Sequence, residues 1–200
     1  AADVPLIHPA AVDDDRECIV RDGVPNFFRK AKAGKPVTIG YIGGSITQAV
    51  YGYRAASARY IRSLFPTLPM KAINAGVSGT GTELGACRLH DQLLQHHPDL
   101  IFIEFAANGA YRDGMEGMIR QIWQFDPTID ICLVYTLYNG QTGIYAAGNV
   151  PPNILGLDSI AAYYKIPSIH LGLHPAMLEQ EGKLVWKTDS KTIPGKIVFS

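Results

Sequence analysis

Residues 37–47 read VTIGYIGGSIT, and this stretch decides the fold. Its first six residues form an apolar, β-branched run that is typical of a buried strand. Gly43 and Gly44 then allow a sharp turn, and Ser45 stands at that turn. Open α/β folds bind their ligands at the carboxyl ends of strands, so the pattern predicts that Ser45 is a nucleophile. The alternative is a loop in which Ser45 only caps a helix.

Two later segments end in groups that would face the same edge. Residues 74–80, NAGVSGT, follow a short apolar stretch, and residues 101–108, IFIEFAAN, form another apolar strand that we expect to end at Asn108. A glycine at position 79 lets a backbone N–H approach a reacting carbonyl closely. We therefore expect the Gly79 N–H and the Asn108 side-chain amide to be oxyanion donors.

In these three segments the chain resembles the SGNH (GDSL-like) hydrolases. Residues 43–45 match the family's first block, residues 74–79 match its Asn-x-x-x-Ser-Gly block, and Asn108 matches the asparagine of its Gly-x-Asn-Asp block. The Gly-Gly-Ser-Ile-Thr form and residues 24–28, VPNFF, are similar to a branch of bacterial secreted or periplasmic esterases. The resemblance implies a three-layer α/β/α fold and hydrolysis of small acyl esters, such as acetyl groups on carbohydrates. It also implies a secreted or periplasmic location.

The chain departs from the family pattern in three ways. Gly44 replaces an aspartate that this branch often lacks, and Gly109 replaces the aspartate of the third block, where we expect it to loosen the loop. No aspartate lies three residues before any histidine, whereas the family carries its base and orienting acid in an Asp-x-x-His motif. Residues 193–200, IPGKIVFS, end where the family continues into that motif. The resemblance thus implies that the chain stops before its catalytic aspartate and histidine, or is catalytically incomplete.

His170 is the internal histidine best placed to act as the base instead. It follows a short apolar stretch, residues 166–169, and would also stand at a carboxyl edge. The alternative is a strand-end histidine whose ring is satisfied by its neighbours. His96 and His97 precede Pro98 without a cluster of ligand residues, so we expect solvated loop histidines and no metal site.

The rest of the chain alternates between strand and helix patterns and predicts one α/β domain. Residues 1–22 form a polar arm, and the hydrolase-like domain covers residues 23–200. We expect strands at 37–42, 70–75, 101–108, 129–137 and 167–171, and helices near 26–33, 55–64, 83–95, 114–125 and after 151. Such alternation favours a parallel sheet covered on both faces. The resemblance implies five strands in a flavodoxin-like order.

Aromatic side chains in two segments are candidates for substrate binding. A glycine-bearing loop over residues 138–149 carries Tyr138, Gln141 and Tyr145, and we expect it to frame the substrate cleft. The alternative is an exposed, mobile connection. Tyr51 follows the Ser45 turn and is the other candidate, together with the two residues that come soon after it, Tyr53 and Arg54. The alternative for this second group is packing at the entry of a helix.

Composition and charge exclude several classes of function. The 200 residues carry 18 basic and 18 acidic side chains, and no basic cluster extends beyond one helix face, so we expect no nucleic-acid partner. No stretch is long and apolar enough to span a membrane. The three cysteines form no Cys-x-x-Cys or zinc pattern. We expect a small-molecule or carbohydrate ester substrate, with no metal and no organic cofactor.

Two other functions fit parts of the sequence. Residues 79–85, GTGTELG, follow a strand and open a helix, as in a dinucleotide-binding fingerprint, although the last glycine is one residue late. The same scaffold without an aspartate–histidine pair would also serve as a non-catalytic ligand- or carbohydrate-binding module.

Overall fold

The structure is a computed structural model that describes residues 15–138, 140–186 and 197–199. The predictions made for residues 1–14 and 193–196 therefore lie outside the described residues, and so does Asn139 of the predicted loop.

A six-stranded sheet forms the centre of the molecule. Its strands are β1 (Cys18–Ile19), β2 (Val37–Gly43), β3 (Met70–Gly76), β4 (Leu100–Glu104), β5 (Asp130–Tyr135) and β6 (Ser168–His170). They lie in the order β1-β6-β5-β4-β2-β3, with β1 antiparallel to β6 and all other pairs parallel. The five parallel strands confirm the predicted flavodoxin-like order.

Helices connect the strands and cover both faces of the sheet. Within the described residues they are α1 (Pro25–Lys32), α2 (Ser45–Gln48), α3 (Tyr53–Leu64), α4 (Thr82–Gln92), α5 (Arg112–Phe125), α6 (Thr142–Ala146), α7 (Pro152–Tyr163) and α8 (Leu173–Gln180). A small second sheet pairs β7 (Leu184–Trp186) in parallel with β8 (Ile197–Phe199).

The core lies in two layers because the central strands are apolar on both faces. Nearly every residue of β2, β4 and β5 is buried. Phe27 of α1 and Ile61 of α3 pack on one face of the sheet. Leu89 of α4, Ile119 of α5 and Leu157 of α7 pack on the other. This arrangement is the predicted three-layer α/β/α fold.

The structure corrects three details of the prediction. The sheet has a sixth strand, β1, in which Cys18 pairs with Ile169 of β6. β1 has only two residues, so its sequence shows no periodic pattern that could have predicted it. β4 ends at Glu104 and not at Asn108, because the chain turns there and the Asn108 N–H donates to the Phe105 carbonyl at 3.0 Å. Helix α6 lies inside the segment that was predicted to be a loop.

Candidate active site

The carboxyl ends of β3, β2 and β4 lie side by side. Gly43, the last residue of β2, is opposite Gly76 of β3 and Glu104 of β4. The three segments that were predicted to hold the nucleophile and the oxyanion donors follow these strand ends directly. The register of the sheet therefore brings the three segments to one edge.

Ser45 is the first residue of α2 and is exposed at this edge. The N-cap of α2 is Gly44, which leaves Ser45 no capping role. Helix α2 folds back over the strand ends because β2 and β3 end in glycine: a Cβ on Gly43 would lie 2.1 Å from Thr47 Oγ1, and one on Gly76 would lie 2.2 Å from the backbone nitrogen of Gln48. Within the part of the chain that is described, the Ser45 hydroxyl makes no hydrogen bond.

The side chain of Asn108 packs against the residue before Ser45. A Cβ on Gly44 would lie 2.7 Å from Asn108 Oδ1, so the Asn108 amide lies directly against the backbone of Gly44. The Asn108 amide donates no hydrogen bond to any described residue. Asn108 is thus beside the candidate nucleophile with its N–H groups unused.

Gly79 and Asn108 line one cavity of about 250 Å³. Gly79 has a φ of 75°, in the left-handed region that favours glycine, and its N–H donates to no residue among those described. The preceding N–H, of Ser78, donates to Gln48 Oε1 at 3.1 Å and ties this loop to α2. The structure therefore brings the two predicted oxyanion donors together, whereas Ser45 does not line this cavity itself.

Arg88 of α4 connects the ends of β2 and β3 through its guanidinium group. Its guanidinium donates to the Gly43 carbonyl at 2.8 Å, to the Ala75 carbonyl and to Thr80 Oγ1 at 3.2 Å. Burial lowers the pKa of this guanidinium. The role of Arg88 was not predicted from the sequence, because a single arginine in a helix gives no indication of the distant residues that it will bond.

Glu104 is a fully buried carboxyl group directly beneath the Ser45 turn. Its oxygens accept hydrogen bonds from Thr47 of α2 at 3.1 Å and from Thr136 at 2.7 Å, and Thr47 shares a further bond of 2.8 Å with the Tyr53 hydroxyl. Burial raises the pKa of Glu104 and outweighs the opposing effect of the two threonine bonds. The sequence contains one signal for this network, an acidic residue inside an apolar strand.

The predicted substrate-binding tyrosines remain exposed. Tyr51 is 77% exposed and Tyr138 is 46% exposed. Their neighbours serve the fold instead: Tyr53 bonds Thr47, and Arg54 donates to two backbone carbonyls of the Ser45 turn at 2.9 and 2.7 Å. Tyr145 is buried and does not line an open cleft, which corrects that part of the loop prediction.

His170 is not placed to deprotonate Ser45. It ends β6, three strand spacings or about 14 Å from β2. The ring is buried, its Nδ1 lies 3.1 Å from the Tyr145 hydroxyl, and Tyr135 packs edge-on against it. Burial lowers the pKa of His170 and outweighs the attraction of Asp158, whose oxygen lies 4.0 Å from Nε2. The structure therefore favours the alternative interpretation of His170, a strand-end histidine packed among its neighbours.

The described part of the chain contains neither a cluster of metal ligands nor a helix that could span a membrane. His97 lies beside the amino end of β4, opposite the Ser45 edge, with its ring 5.3 Å from that of Phe125. No three described His, Cys, Asp or Glu side chains are grouped to hold a metal ion. None of the described helices has the length and hydrophobicity needed to cross a membrane.

One amide at the glycine-rich start of α4 is already bonded within the protein. The Thr82 N–H donates to the Gly109 carbonyl at 3.1 Å. Gly85 serves packing, because a Cβ there would lie 2.7 Å from the Phe105 ring. This contact explains Gly85 without a phosphate.

No protein-family model and no curated protein matches the sequence. Solved structures do match. A two-domain esterase (CEX) active on acetylated mannans, co-crystallised with mannopentaose, has a TM-score of 0.69 and 23% identity over 87% of this chain and 47% of that one. A lipase/acylhydrolase from Enterococcus faecalis has a TM-score of 0.56 and 23% identity over 74% of this chain and 82% of that one. A catalytic mutant of Axe2, an acetylxylan esterase from Geobacillus stearothermophilus, has a TM-score of 0.57 and 16% identity over 72% and 80%.

The chain spans about half the length of the two-domain esterase. The three matched proteins are ester hydrolases that align over most of this chain. This likeness of fold agrees with the family resemblance that the sequence motifs carry separately. The chain has the α/β/α fold of the SGNH-type hydrolases.

Proposed function

We propose that this protein is a serine esterase that removes small acyl groups, of the acetyl type, from carbohydrates. The observation that carries the proposal is the convergence of three strand ends on one edge, where exposed Ser45 adjoins the contact between Gly44 and Asn108. Esterases that act on acetylated mannans and xylans share the fold, which favours an acetylated sugar as the substrate. A secreted or periplasmic location, which the family resemblance implies, suits such a substrate.

In the proposed mechanism, Ser45 Oγ attacks the ester carbonyl and its proton passes to a base. The Gly79 N–H, the Asn108 amide and the Ser45 N–H stabilise the oxyanion that forms, each donor contributing about 3 kcal/mol in comparable sites. As the tetrahedral intermediate collapses, the base gives this proton to the leaving sugar oxygen, which releases the sugar hydroxyl and leaves acyl-Ser45. Water then attacks acyl-Ser45 and passes a proton to the base. The second intermediate collapses to the free carboxylic acid, and the base returns that proton to Ser45.

We expect the base to come from a part of the protein outside the described residues. His170 lies too far from Ser45, and no other histidine bonds the Ser45 hydroxyl within the described ranges. A histidine oriented by an aspartate three residues earlier, as in related hydrolases, would complete the mechanism. No step requires a metal or an organic cofactor.

The test is hydrolysis of p-nitrophenyl acetate by the 200-residue chain and by a version extended beyond Ser200. Ser45→Ala should abolish turnover without unfolding the protein, and Asn108→Ala should lower it about a hundredfold or more. Ser78→Ala, a change of another exposed serine near the site, is the matched control and should keep the wild-type rate. Retained turnover in Ser45→Ala would exclude Ser45 as the nucleophile.

The comparison of the two versions also locates the base. Ser45-dependent turnover in the extended version alone places it beyond residue 200, and equal turnover in both places it within the chain. A second candidate function, a non-catalytic carbohydrate-binding module, is favoured by one observation: the described residues offer Ser45 no base. Folded protein that is inactive in both versions would support that alternative.

A further inference from the structure

An exposed aromatic ring stands at the rim of the cavity that Gly79 and Asn108 share. Tyr111, the residue before α5, is 59% exposed and lines this cavity. Leu84 of α4 is 57% exposed and lines it as well. Two apolar surfaces therefore adjoin the predicted oxyanion donors and remain open to solvent.

The Tyr111 ring is held against the backbone beside Asn108. Gly109 has a φ of 53°, and a Cβ there would lie 3.1 Å from Tyr111 Cε2. An aspartate at position 109, as in the family pattern, would crowd the ring and adopt an unfavourable backbone conformation. The missing side chain at position 109 thus makes room for an aromatic one, and the expected loosening of this loop stays a prediction.

The backbone of Tyr111 is fixed by the buried side chain of Thr82. The Tyr111 N–H donates to Thr82 Oγ1 at 3.1 Å and to the Gly109 carbonyl at 2.9 Å, and the Thr82 hydroxyl donates to the Tyr111 carbonyl at 2.8 Å. The neighbouring loop touches the same backbone, since a Cβ on Gly81 would lie 2.9 Å from the Gly109 carbonyl. A ring on such a support loses little freedom when it binds a ligand.

The charged side chain in the cavity lining indicates which kind of ligand the cavity favours. Its described lining contains the exposed carboxylate of Glu83 and no lysine or arginine. A carboxylate accepts hydrogen bonds from hydroxyl groups but repels anions. An aromatic face beside a hydroxyl acceptor suits a neutral sugar, whose ring presents C–H groups on its face and hydroxyl groups at its edge.

We propose that this cavity binds a sugar ring of a neutral oligosaccharide, with the Tyr111 ring as its stacking surface. The inference rests on the proposed function, since it assigns to this cavity the carbohydrate side of the ester. Asn108, which lines the cavity and packs against Gly44, then lies between the sugar and Ser45, so that binding of the sugar brings its acyl group to the oxyanion donors. The Glu83 carboxylate disfavours anionic saccharides.

The test measures binding, so it does not depend on turnover. Mannopentaose and xylopentaose are titrated into the full chain by calorimetry, with oligogalacturonate as the anionic probe. We expect saturable binding of at least one neutral probe, a loss of about tenfold or more in affinity for Tyr111→Ala, and little change for Tyr111→Phe. Tyr163→Ala, which removes a still more exposed ring from α7, is the matched control and should bind as the wild type does.

The outcomes separate this proposal from the esterase proposal. Wild-type affinity in folded Tyr111→Ala, or no saturable binding of either neutral probe, would overturn the sugar site whatever the activity of Ser45. Equal affinity for oligogalacturonate would overturn the selection by Glu83. Ser45→Ala should bind the neutral probe normally, so loss of turnover in that variant tests only the chemistry.

Discussion

At the scale of single residues, Glu104 shows how a buried acid supports the Ser45 turn. Its carboxyl group receives hydrogen bonds from Thr47 and Thr136, and its raised pKa means that the fold tolerates the neutral acid readily. Glu104→Ala should lower the free energy of unfolding by about 2–4 kcal/mol, because it opens a cavity and removes the acceptor of the Thr47 and Thr136 hydroxyls. Glu104→Gln keeps the shape and should cost about 1 kcal/mol.

Urea unfolding measures both variants, and Glu181→Ala on the surface is the control. If the glutamine variant were as unstable as the alanine variant, the charged form of Glu104 would be what supports the turn.

Single residues also mark the limit of what sequence can predict. Ser45, Gly79 and Asn108 were predicted because each follows an apolar strand, and parallel strands end at a common edge. Arg88 and Tyr111 were not, since their roles depend on partners that only the packed loops bring close. Gly109 is instructive: the sequence shows a missing aspartate, whereas the structure shows the ring that takes up the space.

At the scale of elements, α4 fixes the geometry of the site through Arg88. One guanidinium bonds the ends of β2 and β3 and the Thr80 hydroxyl, next to Gly79. Lysine cannot reach these separated acceptors at once, because its donors sit on a single nitrogen. Arg88→Lys should therefore loosen the Gly79 loop and destabilise the fold by about 1–3 kcal/mol.

Hydrogen exchange tests this expectation. Amides of residues 77–81 should exchange faster in Arg88→Lys, whereas those of α5 should not change. Arg120→Lys, on the exposed side of α5, is the matched control. Unchanged exchange over residues 77–81 would show that the arginine does not hold the loop.

The bounds of long strands and helices with a regular apolar pattern were predicted closely, whereas the short elements were not predicted. The strand from Val37 ends one residue later than expected, and the helix expected over 114–125 begins at Arg112. By contrast, β1 and α6 have two and five residues, too few for a period to emerge. The strand before Asn108 was predicted too long because Phe105 and Ala106 are buried although they lie beyond β4.

At the scale of the whole molecule, the far edge of the sheet is held by a polar network. Arg21 bonds Asp158 of α7 at 3.0 Å and Ser168 of β6 at 2.8 Å, so the segment after β1 is fastened to the domain. Tyr135 of β5 also donates to Asp158, and His170 lies at the centre of these groups. The alternation of elements predicted the parallel sheet, but such contacts between distant segments leave no local pattern.

This network makes the stability of the molecule depend on pH through His170. Its pKa is lowered in the folded state, mainly by burial, below the ordinary value of 6.5. Above pH 6.5 the imidazole is neutral in both states; as the pH falls further, the unfolded chain takes up a proton that the folded chain refuses, so stability is lost.

His170→Gln removes this proton uptake and keeps a neutral polar side chain. Between pH 6.5 and 5 the free energy of unfolding should therefore fall more steeply for the wild type than for the variant, by up to about 1.4 kcal/mol per unit of pKa depression. Urea unfolding of both proteins at several pH values measures the two slopes, and parallel slopes would mean that the buried imidazole accepts its proton without opening the β5–β6 edge.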